Sequence, residues 1–155
     1  MWADLGAGRG AFTLALADLL GRNGEIHAVG RDAGALRENA RAMAELFPKV
    51  RVAYHVADFT GVLELPALDG IVMANSLHFQ AEQLEVVELV REYLKPGGRL
   101  VIVEYNIEHG NGAVPYPVPF AAWERLAGES GFEQTRLLER RPSRWLREIY
   151  SAVSW

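Results

Sequence analysis

The sequence predicts an α/β protein: a doubly wound, mostly parallel seven-stranded sheet that ends in an antiparallel pair of strands. Three observations predict it. Strand-like and helix-like patterns alternate along the whole chain, with no linker, repeat or low-complexity tract between them. The first strand pattern runs directly into Gly6-Ala7-Gly8-Arg9-Gly10, a loop with glycine at alternate positions. The last two apolar runs are joined by a turn too short for a crossover helix, so they must pair antiparallel.

Each element can be justified in order. A first strand at residues 2–5 leads to a helix at 10–20, with Phe12, Leu16 and Leu19 or Leu20 on one face. Asn23-Gly24 turns the chain into a strand at 25–29. A second helix at 33–47 carries Leu36, Ala40, Met43 and Phe47 at helical spacing, and Pro48 helps end it. A third strand is expected at 50–56, followed by a connection at 60–68 too short for a regular helix with its loops. A fourth strand at 70–74 precedes a third helix at 81–94, with Leu84, Val87 and Leu94 facing inward. Lys95-Pro96-Gly97-Gly98 turns the chain into a fifth strand at 99–105, and a loop rich in Gly and Pro covers 106–119. A last helix at 120–128 leads to strands at 132–139 and 145–155, separated by Pro142.

At 155 residues the chain is expected to fold as one domain, residues 1–155, with a substantial core. The net charge of −4 gives no general attraction to nucleic acid or to anionic membranes. No apolar run approaches the roughly 20 residues of a membrane span, and no basic-then-apolar leader opens the sequence. The chain has no cysteine, which excludes disulfides, thiolate metal sites and cysteine nucleophiles. Its four histidines show no metal-ligand spacing, so no metal is expected. A cytoplasmic location fits this composition.

The glycine loop is the most chemical feature. Each glycine removes a Cβ where the backbone must turn sharply or approach something closely. The helix behind it offers unpaired N–H groups and the positive end of its dipole. Such a loop is built to hold a polar or anionic ligand. Gly6-x-Gly8-x-x-Ala11 satisfies the dinucleotide fingerprint and admits NAD. The stricter pattern Asp4-x-Gly6-x-Gly8-x-Gly10 resembles motif I of the class I S-adenosylmethionine-dependent methyltransferases. The resemblance covers nearly the whole chain, through the order of its elements, the Leu94-Lys95-Pro96-Gly97-Gly98-Arg99-Leu100 turn and Gly131-Phe132. It implies methyl transfer from S-adenosylmethionine to a small-molecule acceptor. It also implies that Gly6, Ala7, Gly8 and Gly10 cradle the amino-acid end of the cofactor, with Asp4 close to its ammonium group. Members of that class usually carry helices ahead of motif I that close over the cofactor. Here the first strand begins at Trp2. The cleft is therefore expected to be open on one side, covered by self-association or by residues 106–119, or else to support little turnover.

Ligands in such sheets lie beyond the carboxyl ends of the strands. Those ends carry Gly30-Arg31-Asp32, Ala57-Asp58-Phe59, Asn75-Ser76-Leu77-His78 and Tyr105. The resemblance implies an acid at the end of the second strand, where two oxygens would accept from both ribose hydroxyls; Gly30 stands there instead. Asp32 is placed either to reach the ribose or to cap the next helix, and the cap is favoured because Asp is a preferred N-cap. The missing acid counts equally against NAD. By resemblance, Asp58 faces the adenine amino group, with Phe59 beside the ring. Asn75 to His78 replace the Asn-Pro-Pro-aromatic motif of DNA-adenine and glutamine methyltransferases, which disfavours those acceptors. His78 is the best candidate for a proton acceptor, since histidine titrates near neutrality; the alternative is a wall residue that only hydrogen-bonds. His109 is a substitute in the 106–119 loop, while His27 and His55 lie inside strands and are expected to pack. Tyr105, Tyr116 and Trp123 either form an aromatic acceptor pocket or pack in the core. Arg136, Arg140, Arg141, Arg144 and Arg147 form a basic run, but interspersed Glu139 and Glu148 favour a solvated hairpin over a nucleic-acid surface. Two other functions stand behind methyl transfer: a cofactor-binding domain with little or no turnover, and a nicotinamide-dependent oxidoreductase. The antiparallel ending and the Asp4/Gly10 pattern count against the latter.

Overall fold

The computed structural model describes residues 1–155. The chain enters β1 (Trp2–Leu5), turns through the glycine loop into α1 (Ala11–Leu20), and continues through β2 (Glu25–Gly30), α2 (Ala33–Leu46) and β3 (Arg51–Val56). Irregular backbone then leads to β4 (Leu68–Ala74), a single 3-10 turn at Leu77–Phe79, α3 (Gln83–Glu92) and β5 (Leu94–Tyr105). The chain ends with α4 (Phe120–Glu129), β6 (Thr135–Pro142) and β7 (Glu148–Ser154). The strands form one seven-stranded sheet in the order β3-β2-β1-β4-β5-β7-β6. The first five are parallel, and β7 runs antiparallel to both β5 and β6. Strand order reverses between β1 and β4, so a crevice opens beyond their carboxyl ends.

Composition explains why β7, and not β6, takes the interior position. Tyr150, Ala152 and Val153 on β7 are buried, whereas Arg136, Glu139, Arg140 and Arg141 on β6 are exposed. Charge on an outer strand blunts its unpaired edge. Both faces of the parallel strands are covered, which is why Ile71, Val72 and Met73 are all buried in succession. Ala3, Leu5, Ile71, Met73, Leu100 and Ile102 pack against α3 and α4 in the larger core. Leu16, Ala17, Ile26, Met43 and Val72 form the core beneath α1 and α2.

Several expected details are corrected. Val86, Val87 and Val90 carry the inward stripe of α3, and Leu84 is 38% exposed. At 3.6 residues per turn, Leu84 lies about 110° around the helix from the middle of that stripe. The same arithmetic puts Leu19 outside; of the two alternatives Leu20 packs against the core, beside the buried Leu16 and Ala17. The 95–98 turn lies inside β5: Leu68 pairs with Leu94 and Gly70 with Arg99, so the intervening residues bulge out of the ladder. The closing hairpin is shifted, with Pro142 ending β6 and residues 143–147 forming the turn.

Candidate functional site

The glycine loop is tied to β2 by the N–H groups of Gly6 and Ala7, which both donate to the Val29 carbonyl at 3.0 and 2.9 Å. Gly6, Gly8 and Gly10 have φ of +90°, +49° and +98°, a region that L side chains rarely adopt. Their surroundings differ. A Cβ on Gly6 would approach Ser76 Cβ to 2.5 Å, and one on Gly10 would approach Asn39 Cγ to 2.5 Å. A Cβ on Gly8 would meet nothing closer than the Gly6 carbonyl oxygen at 3.8 Å. Gly6 and Gly10 thus let the loop pack on its own protein, while Gly8 keeps its outer surface open. The N–H groups of Gly8 and Arg9 donate to no backbone carbonyl. They stand in front of the first turn of α1, where the helix dipole is positive.

Asp4 lies beneath this loop, 2% exposed. Thr13 Oγ1 donates to Asp4 Oδ2 at 2.7 Å, Asn39 Nδ2 donates to Thr13 Oγ1 at 2.8 Å, and the Tyr54 hydroxyl donates to Asn39 Oδ1 at 3.4 Å. Burial raises the Asp4 carboxyl from 3.8 to about 6, against the opposing pull of its Thr13 hydrogen bonds. The loop, α1 and α2 are therefore locked together by one polar chain that ends in the buried Asp4 carboxyl.

In front of the loop is a cleft of about 140 Å³, lined by Gly6, Gly30, Arg31, Phe59, Asn75 and Ser76 among others. The crevice thus brings together five of the residues singled out from sequence. Asn75 has φ of +50°, and its Oδ1 is buried with no hydrogen-bond partner. A buried acceptor without a donor is costly in an apolar setting, and a ligand donor at this position would satisfy it. Asp32 does not face the cleft as a free acid. Its Oδ1 accepts from the N–H groups of Gly34 and Ala35 at 2.7 and 3.1 Å, and these bonds hold its carboxyl below the usual range. Asp58 accepts from the Thr60 N–H and hydroxyl at 3.0 and 2.9 Å and pairs with Arg31 at 3.4 Å. The Thr60 N–H is the main reason its carboxyl titrates low. Phe59 is buried in the core and presents its ring edge beside Gly6.

A second chamber of about 490 Å³ adjoins the first, sharing Asn75 and Phe79 and lined further by His78, Tyr105, Ala113, Trp145 and Leu146. The cleft alone is smaller than the ~300–1,000 Å³ of ordinary ligand sites, and the two together fall in that range. His78 is 2% exposed, and its Nδ1 lies 2.5 Å from Glu104 Oε2. Glu104, fully buried at the end of β5, also accepts from the N–H groups of Leu77 and His78. Sequence reasoning missed Glu104. Its signal was an acid two residues beyond Ile102 on the inward phase of an apolar strand. Trp145 and Leu146 were missed because only the hairpin brings them beside β4 and β5. Trp123 is fully buried in the core, and Tyr116 is not among the chamber residues, so Tyr105 alone of the three aromatic candidates lines it. His27 and His55 stack at 5.2 Å with a 3.0 Å contact between ring nitrogens, and His109 is exposed.

A larger cavity, about 580 Å³, lies elsewhere, around Arg91, Lys95 and Gly98 at the amino end of β5. It is far from the glycine loop and on the wrong side of a parallel sheet for a nucleotide-type ligand. No group of three acid or histidine side chains is arranged around a metal-sized space.

Residues 2–135 match the methyltransferase domain family, and the chain belongs to it. No curated protein matches the chain in sequence. Among solved structures, it is similar to CrArsM, an arsenic(III) S-adenosylmethionine methyltransferase from Chlamydomonas reinhardtii, with 18% identity and a TM-score of 0.78 over 99% of this chain and 62% of that one. A SAM-dependent methyltransferase from Aquifex aeolicus gives 19% identity and a TM-score of 0.73, covering 99% and 80% of the two chains. Magnesium protoporphyrin IX methyltransferase from Synechocystis PCC 6803, solved with bound SAM, gives 16% and 0.72, covering 99% and 69%. The chain spans 36–62% of several of the structures it matches. Their common fold is that of class I methyltransferases, whose cofactor is S-adenosylmethionine.

Proposed function

We propose that this chain binds S-adenosylmethionine across the β1–β4 crevice and methylates a small molecule held in the adjoining chamber. Gly8 carries this reading: its strained, open backbone beside unpaired N–H groups has no packing role, which leaves close approach to a ligand as its purpose. The glycine loop and the buried Asn75 Oδ1 would hold the amino-acid end, with Asp4 supplying negative charge beneath it. Phe59 and Asp58 would flank the adenine. When bound, the cofactor supplies an already activated methyl group, so the protein's task is alignment and exclusion of water. A soft metalloid acceptor of the kind named for the algal enzyme is disfavoured, because the chain has no cysteine to hold it.

Calorimetric titration with S-adenosylhomocysteine and, separately, NAD tests this reading. S-adenosylhomocysteine should bind and NAD should not. Gly8→Val should abolish binding while retaining the native circular dichroism spectrum, because the left-handed backbone costs roughly 1–2 kcal/mol with a Cβ and no neighbour is displaced. Unchanged affinity would reject the assignment. A second reading, cofactor binding with little turnover, is favoured by one observation: Gly30 offers no carboxylate for the ribose.

A further inference from the structure

The chamber beside the cleft contains an arrangement that alignment alone does not require. Glu104 is a fully buried carboxylate with no Lys or Arg partner among its ion pairs. An acid removed from water in this way must have its lone pairs met by donors. Three donors meet it: the N–H groups of Leu77 and His78 at 3.1 and 3.3 Å on Oε1, and His78 Nδ1 on Oε2. Burial, and then the charge of Glu104, pushes the Tyr150 hydroxyl above its ordinary range, so that neighbour stays neutral and donates to the Val118 carbonyl. A proton fixed on Nδ1 leaves Nε2 as the accepting nitrogen. No protein donor or acceptor meets Nε2, and the ring lines the chamber.

The walls indicate what comes to this nitrogen. Phe79 is 51% exposed and Trp145 83% exposed, and with Tyr105 they present large apolar faces to the space in front of His78. Aromatic faces without protein cover suit a flat ring. The apolar lining disfavours an acceptor that arrives ionised, and a neutral amine attacks before it loses its proton. A base is useful where the acceptor must give up a proton as it reacts, and histidine serves best when that proton is only weakly acidic.

We propose that Glu104 positions His78 to take the proton from a weakly acidic hydroxyl, phenolic or enolic, on an apolar ring-bearing acceptor held against Phe79, Tyr105 and Trp145. The hydroxyl proton moves to Nε2, and the electron pair of the O–H bond stays on oxygen. That oxygen forms the bond to the methyl carbon as the carbon–sulfur bond breaks. The pair from the broken bond stays on sulfur, which loses its positive charge. His78 then releases the proton to water. Glu104 acts only through the histidine. The proposal rests on the cofactor reading above.

The test uses para-nitrophenol, whose coloured phenolate reports proton transfer, with protein saturated in S-adenosylhomocysteine, and nitrogen NMR of the His78 ring. In the wild type the probe should bind as phenolate, and without it His78 should carry its proton on Nδ1. Glu104→Gln can still accept from both backbone N–H groups but donates toward Nδ1. It should move the proton to Nε2, abolish the phenolate signal and, with S-adenosylmethionine replacing S-adenosylhomocysteine, slow methylation of the probe by about 10²-fold, with S-adenosylhomocysteine affinity unchanged. His78→Gln should also bind the probe as the neutral phenol, which keeps the test available if Glu104→Gln fails to fold. Trp145→Ala, at an exposed position, should weaken probe binding by about tenfold without changing cofactor affinity. Binding of the probe as neutral phenol to the wild type, or equal phenolate in wild type and His78→Gln, would overturn the proposal while leaving the cofactor reading intact. Failure of S-adenosylhomocysteine itself to bind would reject the cofactor reading, a separate and distinguishable result.

Discussion

Gly30 ends β2 at the point where a ribose acceptor is expected, and the backbone there leaves room for a side chain. A Cβ would sit 3.5 Å from Leu36 Cδ2 and 3.8 Å from the Gly8 nitrogen, ordinary contact distances. Gly30→Asp should therefore fold normally and tighten S-adenosylhomocysteine by roughly 1.5–3 kcal/mol, the range for a charge-assisted hydrogen bond. Calorimetry decides it: equal or weaker affinity would mean that the ribose is already held by another group. Asp4 gives a second residue-scale prediction. Its carboxyl is raised from 3.8 to about 6, so between those values the folded state binds more protons than the unfolded chain. Its contribution to stability should fall as pH rises through that window, by about 3 kcal/mol across the whole of it. Below the window both states are protonated, and above it the cost is fully present. Denaturant melts of wild type and Asp4→Asn from pH 4 to pH 7 should therefore differ in slope, with wild type losing stability relative to the variant. Parallel curves would show that the acid is not perturbed.

At the scale of elements, the start of α2 separates two roles for Asp32. Its carboxylate accepts from the first-turn N–H groups of Gly34 and Ala35, the geometry of an N-cap. Asp32→Ala should lower the thermal midpoint while leaving S-adenosylhomocysteine affinity unchanged. Lost affinity with an unchanged midpoint would assign it to the ribose instead. The cap was legible in sequence because it is local: an acid just before a helical pattern. The His78–Glu104 contact was not legible, because it spans 26 positions and depends on β4 and β5 lying side by side. Asn75 was legible as a position beyond a strand end, but its unpartnered oxygen appears only once neighbours fail to reach it. Leu84 was misread, and the choice between Leu19 and Leu20 stayed open, because an apolar residue near a helical stripe resembles one on it until the packing partner fixes the rotation.

Over the whole molecule, a net charge of −4 coexists with an arginine-rich closing hairpin. Much of that positive charge is engaged internally. Arg136 lies over the Trp155 ring and Arg140 over Phe120, while Arg140 and Arg141 approach Glu148 and Glu139 at 3.8 and 3.9 Å. Fluorescence anisotropy with labelled RNA should show no salt-dependent binding at low micromolar protein. A steep salt slope would identify the hairpin as a nucleic-acid surface.

The alternation of strands and helices, the glycine loop and the antiparallel ending were determined by the sequence alone. They rest on periodicity, on φ values that suit glycine, and on connection lengths, all properties of neighbours along the chain. Only the tertiary structure decided which glycine stays open, because Ser76 and Asn39 arrive from distant elements to fill the space beside Gly6 and Gly10. It also decided the make-up of the chamber, where a 3-10 turn, a strand end, a long loop and a hairpin turn converge. Such convergence depends on the order of strands across the sheet, and no local stretch of sequence carries that order.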